Sequence, residues 1–298
     1  MQKKILTFFM IFYFFKLGLC FGLDWRSLHN EAAVIFTPEA CESVKKDKLS
    51  LGYIYLHALT YLNVHSDRMA KDEFMKMLRM APETVEAQWG IAEVLRREYE
   101  FENSEKMLLK IIGQAPEFWP AYISLSYLYY NKRGFKKTIN LALTVTRQGK
   151  RNVDVSNYTI SFLLRAAANG MRAYHGGPMA KVIYGLGVLP ALKKAQRLQP
   201  ESSSVLFGLG SFYFLSPPIA GGNRQKAVEY FKRTIEIDPL FTEAYVRLAQ
   251  CYKLNGDEEK YRVYLDKARQ IDPKNILLND FTGGECYFGC VGLEDDEK

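Results

Sequence analysis

The chain has few of the residues from which catalytic and metal centres are usually assembled. Histidine occurs four times in 298 residues, at His29, His57, His65 and His175. His57 and His65 could share a helix face, but the first falls inside an expected helix and the second near its turn, so both are read as structural. There is no nucleophile elbow, Walker loop, zincin motif or paired-carboxylate constellation. The paired glycines lack the strand-before, helix-after setting of a phosphate cradle. These absences argue against an enzyme and leave no cofactor or metal to expect. No apolar run reaches the roughly 20 residues that cross a bilayer core. Core material is not short, however: 48% of residues are hydrophobic and 24% charged, which excludes disorder.

What is present begins with a leader. Lys3 and Lys4 precede a mostly apolar run from Ile5 to Phe15, followed by Lys16, Leu17, Gly18, Leu19 and Cys20. A basic start and a short apolar stretch suit a secretory signal. Residues 1–22 are therefore read as a signal peptide, and the protein as exported: periplasmic, or held at a membrane by lipid. Two processing routes stay open. Cys20 and Gly22 are the small residues a signal peptidase takes three and one before its cut, leaving Leu23 as the terminus. Alternatively, Leu17 to Cys20 resembles a bacterial lipobox with Cys20 acylated.

Loss of the three leader lysines lowers the formal charge from +7 to +4, an ordinary balance. The cluster Lys132, Arg133, Lys136, Lys137, Lys150 and Arg151 reads as solvated helix surface. With export, this argues against a nucleic-acid partner. In an oxidising envelope Cys286 and Cys290 are close enough in sequence to form a disulfide that pins the C-terminal segment, whereas Cys251 is expected as a buried thiol.

Four stretches share one spacing. They run Tyr61, Ala70, Phe74, Pro82; Leu95, Ser104, Leu108, Pro116; Tyr129, Thr138, Ala142, Lys150; and Tyr252, Tyr261, Leu265, Pro273. A 34-residue period with this internal pattern resembles the tetratricopeptide repeat (TPR), a pair of antiparallel helices that stacks on the next pair. The expected fold is all-α, a right-handed TPR-type solenoid of about six helical hairpins. Residues 23–50 are read as N-terminal capping helices, 51–152 as three regular repeats, 153–275 as three further repeats, and 276–298 as a C-terminal cap with an acidic tail. Thr37 and Pro38 make a helix start within the N-terminal cap.

Two of the later repeats are enlarged. Tyr213 to Ala227 is fourteen residues where nine is the rule. The extra turn, through Pro217, Pro218, Gly221 and Gly222, resists helix because proline lacks a donor and glycine lowers helix propensity. The preceding repeat carries its own insertion after Tyr174, at His175, Gly176 and Gly177. Such turns lie along one edge of a solenoid, so the two glycine loops should be neighbours. His175, in an irregular loop, is the one histidine kept as a site candidate.

Ala166 to Gly170, Leu189 to Pro200, Phe207 to Tyr213, Pro217, Pro218, Gly221, Gly222 and Lys226, Ala227, Phe231 together resemble the T-component of tripartite ATP-independent periplasmic (TRAP) transporters. That family is a TPR-like periplasmic lipoprotein thought to associate with a secreted substrate-binding subunit. The resemblance implies a transport accessory that binds a small ligand or a solute-binding protein near the two loops.

In TPR arrays the first helix of each repeat lines the concave face. The inward places here include Tyr55, Trp89, Arg96, Tyr127 and Tyr130. They predict an aromatic surface for an apolar peptide, a partner helix or a small amphipathic ligand. The Lys and Asn that clamp a terminal carboxylate in some TPR proteins are absent. The functional expectation is a non-enzymatic scaffold for protein–protein interaction in the cell envelope, with the transport accessory as the alternative.

Overall fold

In the computed structural model, successive helices pair across tight turns, and the pairs stack into a coil. The structure describes residues 23–290 except 36, 38, 40 and 42–49. The segment read as a signal peptide, Cys20, the expected Thr37–Pro38 helix start and the acidic tail therefore lie wholly or partly outside the described residues. A short helix, α1 (Trp25–Ala32), comes first. Three hairpins follow: α2 (Leu51–Asn63) with α3 (Asp67–Met80), α4 (Val85–Arg97) with α5 (Phe101–Gln114), and α6 (Trp119–Asn131) with α7 (Phe135–Gln148). The enlarged part contains α8 (Val155–Tyr174), α9 (Pro178–Gly185), α10 (Val188–Leu198), α11 (Ser203–Leu215) and α12 (Arg224–Ile237). The last hairpin is α13 (Thr242–Leu254) with α14 (Glu258–Ile271), and α15 (Ile276–Thr282) ends the helical series. Among the described residues there is no strand.

The second helix of each regular pair places a small residue against its partner. Ala70, Ser104 and Thr138 are fully buried there, as are Phe74, Leu108 and Ala142 one turn on. Ser104 Oγ donates to the Ala92 carbonyl at 2.8 Å across the hairpin, and in the next pair Ser126 Oγ donates to the Thr138 carbonyl at 3.0 Å. Small side chains let the helices approach, and the larger ones then fill the groove between pairs. Gly90 shows the tolerance: a Cβ there would lie 2.3 Å from the Phe74 ring.

The hairpin turns repeat the period in their backbone. The second residue after the first helix of each regular pair is left-handed: His65 (φ 57°), Tyr99 (φ 66°), Arg133 (φ 61°) and Gly256 (φ 72°). In each, the following amide reaches back five residues, as in Ser66 N to the Tyr61 carbonyl (2.9 Å) and Gly134 N to the Tyr129 carbonyl (2.7 Å). This arrangement closes a helix end by satisfying its last carbonyls, and glycine is its usual left-handed residue because any Cβ is strained there by about 1 kcal/mol.

Three turns nevertheless carry side chains, and all three reach across the coil. His65 Nε2 lies 3.0 Å from Asp238 Oδ2, 173 residues away. The Tyr99 hydroxyl donates to Asp272 Oδ2, also 173 residues away. Arg133 pairs with Glu285 at 2.6 Å and covers the Tyr287 ring at 4.0 Å. An apolar cluster closes the same contact, bringing Phe135 on α7 and Met171 on α8 together with Tyr245 on α13, Leu278 and Phe281 on α15, and Phe288. The solenoid thus winds until its first three turns meet its last repeats, and a seam fastens them.

A candidate binding cavity

The concave residues divide into two groups. In the N-terminal half the inner face is occupied by α1. His29 on α1 is buried against Tyr55 and Trp89, with ring centroids 5.6 and 5.2 Å apart, and Trp25 packs edge-on to Phe118 at 5.3 Å. Tyr55 is wholly buried and Trp89 is 5% exposed. Neither belongs to an open surface, in contrast to the expectation from their repeat positions. The cause is α1, whose length and amphipathic face fit the groove that these aromatics would otherwise leave bare.

Polar bonds fix that helix in register. Asp24 caps it, accepting from the Ser27 amide. Asn30 Oδ1 accepts from the Val155 amide at 2.8 Å, and Arg26 donates to the Arg151 carbonyl, so α1 spans from α2 to the start of α8. Asn157 Nδ2 donates to Asp154 Oδ2 at 2.8 Å, which turns the amide nitrogen towards His29 Nδ1 at 3.4 Å. His29 Nδ1 therefore accepts, and Nε2–H donates to the Tyr55 hydroxyl at 2.7 Å. Burial holds the imidazole below its ordinary pKa, although Asp154 opposes this.

Arg96 is also spoken for. It forms two hydrogen bonds to Glu93, at 2.9 and 2.5 Å, and its guanidinium lies 4.4 Å from the centre of the Tyr127 ring. Burial works to raise Glu93, but Arg96, joined by Arg97 and Ser124, outweighs it and holds the carboxyl below its usual value. Trp89 Nε1 completes this interior network by donating to Ser124 Oγ at 2.9 Å.

Tyr127 and Tyr130 lie elsewhere, on the wall of a cavity of about 1600 Å³ enclosed by α8, α9, α10, α11, the turn after α11 and the C-terminal segment. Burial pushes the Tyr130 hydroxyl up to about 12. His175, Pro217 and Gly222 line the same space. The two enlarged loops therefore border one cavity, while Gly176, Gly177 and Gly221 are not among the residues that line it. Gly222 is dictated by close approach, since a Cβ there would stand 1.8 Å from the Ser216 carbonyl oxygen; Gly221 is left-handed at φ 92°. Asn223 ends the turn, with its amide on the Tyr213 carbonyl (2.8 Å) and its side chain capping α12 through the Lys226 amide (2.9 Å).

His175 is committed to structure on one side: its Nε2 donates to the Tyr287 carbonyl at 2.8 Å, and its ring lies 4.3 Å from that of Tyr287. The C-terminal segment held in this way contains bonded Cys286 and Cys290. Cys251 is buried and its thiol is pushed up to about 12 by that burial. Among the described residues no group of histidine, cysteine and carboxylate side chains is arranged to hold a metal. His57 instead packs 4.3 Å from Tyr61 and 3.8 Å from Glu73.

Sequence comparison finds the tetratricopeptide repeat over residues 242–275, the α13–α14 hairpin. No curated protein matches the chain. Among solved structures it is similar to the APC/C hetero-tetramer Cut9–Hcn1, with TM-score 0.59 and 12% identity over 88% of this chain and 48% of that one. A monomeric IFIT1 mutant with Gppp-AAAA gives TM-score 0.55 and 16% identity, covering 86% and 59% of the two chains. A tetratricopeptide repeat protein from Parabacteroides merdae gives 0.50 and 11%, covering 86% and 96%. The fold is a TPR-type solenoid. At such identities the likeness speaks for architecture alone. Within the TPR plan, a capping helix inside residues 23–50 is expected from the sequence, but its place across Tyr55, Trp89 and Phe118 is not; Arg247, whose burial no local pattern announces, is the residue that sequence reasoning missed.

Proposed function

We propose that the protein is an exported, non-catalytic binding scaffold of the cell envelope, which holds a small amphipathic guest in its cavity and meets a protein partner through its repeats. The observation that carries this reading is the cavity itself. Its volume of about 1600 Å³ exceeds the roughly 300–1,000 Å³ of ordinary ligand sites, and its walls are chiefly aliphatic and aromatic, including Leu163, Leu189, Phe207 and Phe212. TPR solenoids present extended surfaces to other molecules, and the leader read from Lys3 to Gly22 supports export. Here α1 covers the inner face of the first two regular repeats, which leaves the enlarged repeats, with Tyr127 and Tyr130 of the third, as the receptive part.

Gly170 provides the test. It lines the cavity, and a Cβ at this position meets nothing within 4 Å, so Gly170→Trp should fill the space while leaving the helix intact. Native mass spectrometry of protein purified from its own envelope should show a bound small molecule that the variant loses. An empty wild-type protein that also takes up no apolar fluorophore would remove the cavity reading. The mass of the mature N-terminus decides export, through a chain beginning at Leu23 or a lipid on Cys20.

A second reading, the accessory component of a TRAP-type transporter, draws on the turn Pro217, Pro218, Gly221 and Gly222, whose resemblance to the T-component falls on the cavity rim. Co-purification with a solute-binding subunit, abolished by changes at this rim, is its expected result.

A further inference from the structure

We propose that the guest is an alkyl-chain anion, with a carboxylate or phosphate head, and that Arg247 is the residue that receives the head. This rests on the cavity being a ligand site. Arg247, on α13, is 4% exposed and forms part of the cavity lining. Its Nη1 donates to Gln250 Oε1 at 2.8 Å and to the Gly289 carbonyl at 2.6 Å, and its Nη2 donates to the Phe288 carbonyl at 2.6 Å. Every one of these acceptors is neutral. Among the described residues its Nε–H has no hydrogen-bond partner, and none of the ion pairs includes it. The nearby acid, Asp280, is occupied by the amides of Tyr287 (2.9 Å) and Phe288 (2.8 Å) and by Arg133 at 3.6 Å.

A buried cation without a counter-charge is disfavoured unless something of opposite sign joins it. The remaining lining favours an anion as that group. Lys181 and Arg224 add positive charge, against the single carboxylate of Glu243, which already accepts from Asn275 Nδ2 at 3.1 Å. Ser211 Oγ, on α11, is a second buried polar atom of the lining with no partner, and it offers a hydroxyl donor. The apolar part of the guest follows from the walls and from the mouth, where Val182 (56%), Leu186 (75%) and Ile219 (98%) stand exposed beside the opening. One charged anchor in a long apolar space matches a chain with one charged end.

Holding the C-terminal segment is the other task Arg247 performs, so the experiment must separate anchoring of the tail from recognition of charge. Delipidated full-length protein is titrated with oleate, with oleyl phosphate and with oleyl alcohol, which share a chain and differ in the head. Wild type should bind at least one of the two anions about tenfold or more tighter than the alcohol, from the ordinary worth of a charge-assisted bond. Preference between oleate and the phosphate tells a fatty acid from a phospholipid-like head. In Arg247→Met the anion preference should vanish while the alcohol keeps its affinity. In Ser211→Ala, which leaves the tail contacts untouched, the preference should fall about threefold. Equal binding of anions and alcohol by wild type overturns the assignment, as does an Arg247→Met variant that loses all three ligands in proportion. If none of the three binds, the cavity reading fails with it, whereas alcohol bound as well as oleate leaves the cavity standing and removes only the charge.

Discussion

The two halves of the solenoid treat their inner faces in opposite ways. In the first, three hairpins of constant period turn Tyr55, Trp89 and Phe118 inwards, and α1 lies over them, so the concavity becomes core. In the second, α9 and the turn after α11 push the walls apart, and the concavity becomes a cavity of about 1600 Å³. Regular repeats make a groove narrow enough for one helix of the same chain to fill. Insertions between paired helices make a space that the chain does not fill. The difference teaches that receptivity in this molecule comes from departures from the repeat.

The comparison breaks most sharply through side-chain truncation. Phe74→Ala, in the filled half, should lower stability by about 3–5 kcal/mol in denaturant unfolding, because the fully buried ring leaves a void. Leu163→Ala, on the cavity wall and only half-buried, should lower it by about 1 kcal/mol. Equal losses would mean that the second half is packed as tightly as the first. Trp25→Ala together with Leu28→Asp should loosen α1, costing about 2–4 kcal/mol, and should raise the fluorescence of an apolar dye by uncovering Tyr55 and Trp89. If dye binding does not change, α1 is not what keeps that groove dry.

Acid sharpens the same contrast. The folded state holds His29 below its ordinary pKa, chiefly by burial. As pH falls below about 6.5 the unfolded chain takes up a proton that the folded state resists, so stability is present above that pH and declines beneath it, by at most ~1.4 kcal/mol per pH unit. Thermal unfolding followed between pH 7 and 5 should show this decline in wild type and a weaker one in His29→Gln. The smallest expected effect in energy belongs to the seam. Tyr99→Phe should cost about 1 kcal/mol. In His65→Gly, relief of the left-handed strain should offset the lost contact to Asp238, leaving stability within about 0.5 kcal/mol of wild type. Small-angle scattering should show an expanded coil in both variants if the seam sets its diameter.

Much of the architecture was legible because the 34-residue period is a covalent property of the chain. Ala70, Ser104 and Thr138 mark the close contacts, and His65, Tyr99 and Arg133 fall one period apart at the turns. The enlarged loops were equally legible, since Pro217, Pro218, Gly221 and Gly222 cannot continue a helix. The loops were placed beside each other by the same logic, and His175, Pro217 and Gly222 do line one space. The inner face was misread where distance in sequence is large. Tyr55 and Trp89 hold inward places, but nothing local to them reveals that Trp25 to Ala32 will cover them. Arg247 looked like any other helix residue, because its isolation depends on where Phe288 and Gly289 return.

Solenoids usually tolerate gain or loss of a module, since each pair touches only its neighbours. The ties from His65 to Asp238 and from Tyr99 to Asp272 remove that freedom, because both join positions 173 residues apart. Duplicating one hairpin between them would carry each partner a full module past its mate and leave the left-handed turns at His65 and Tyr99 with nothing to reach. The number of pairs in this molecule is therefore fixed by its closure, as the number of staves is fixed by the hoop of a barrel.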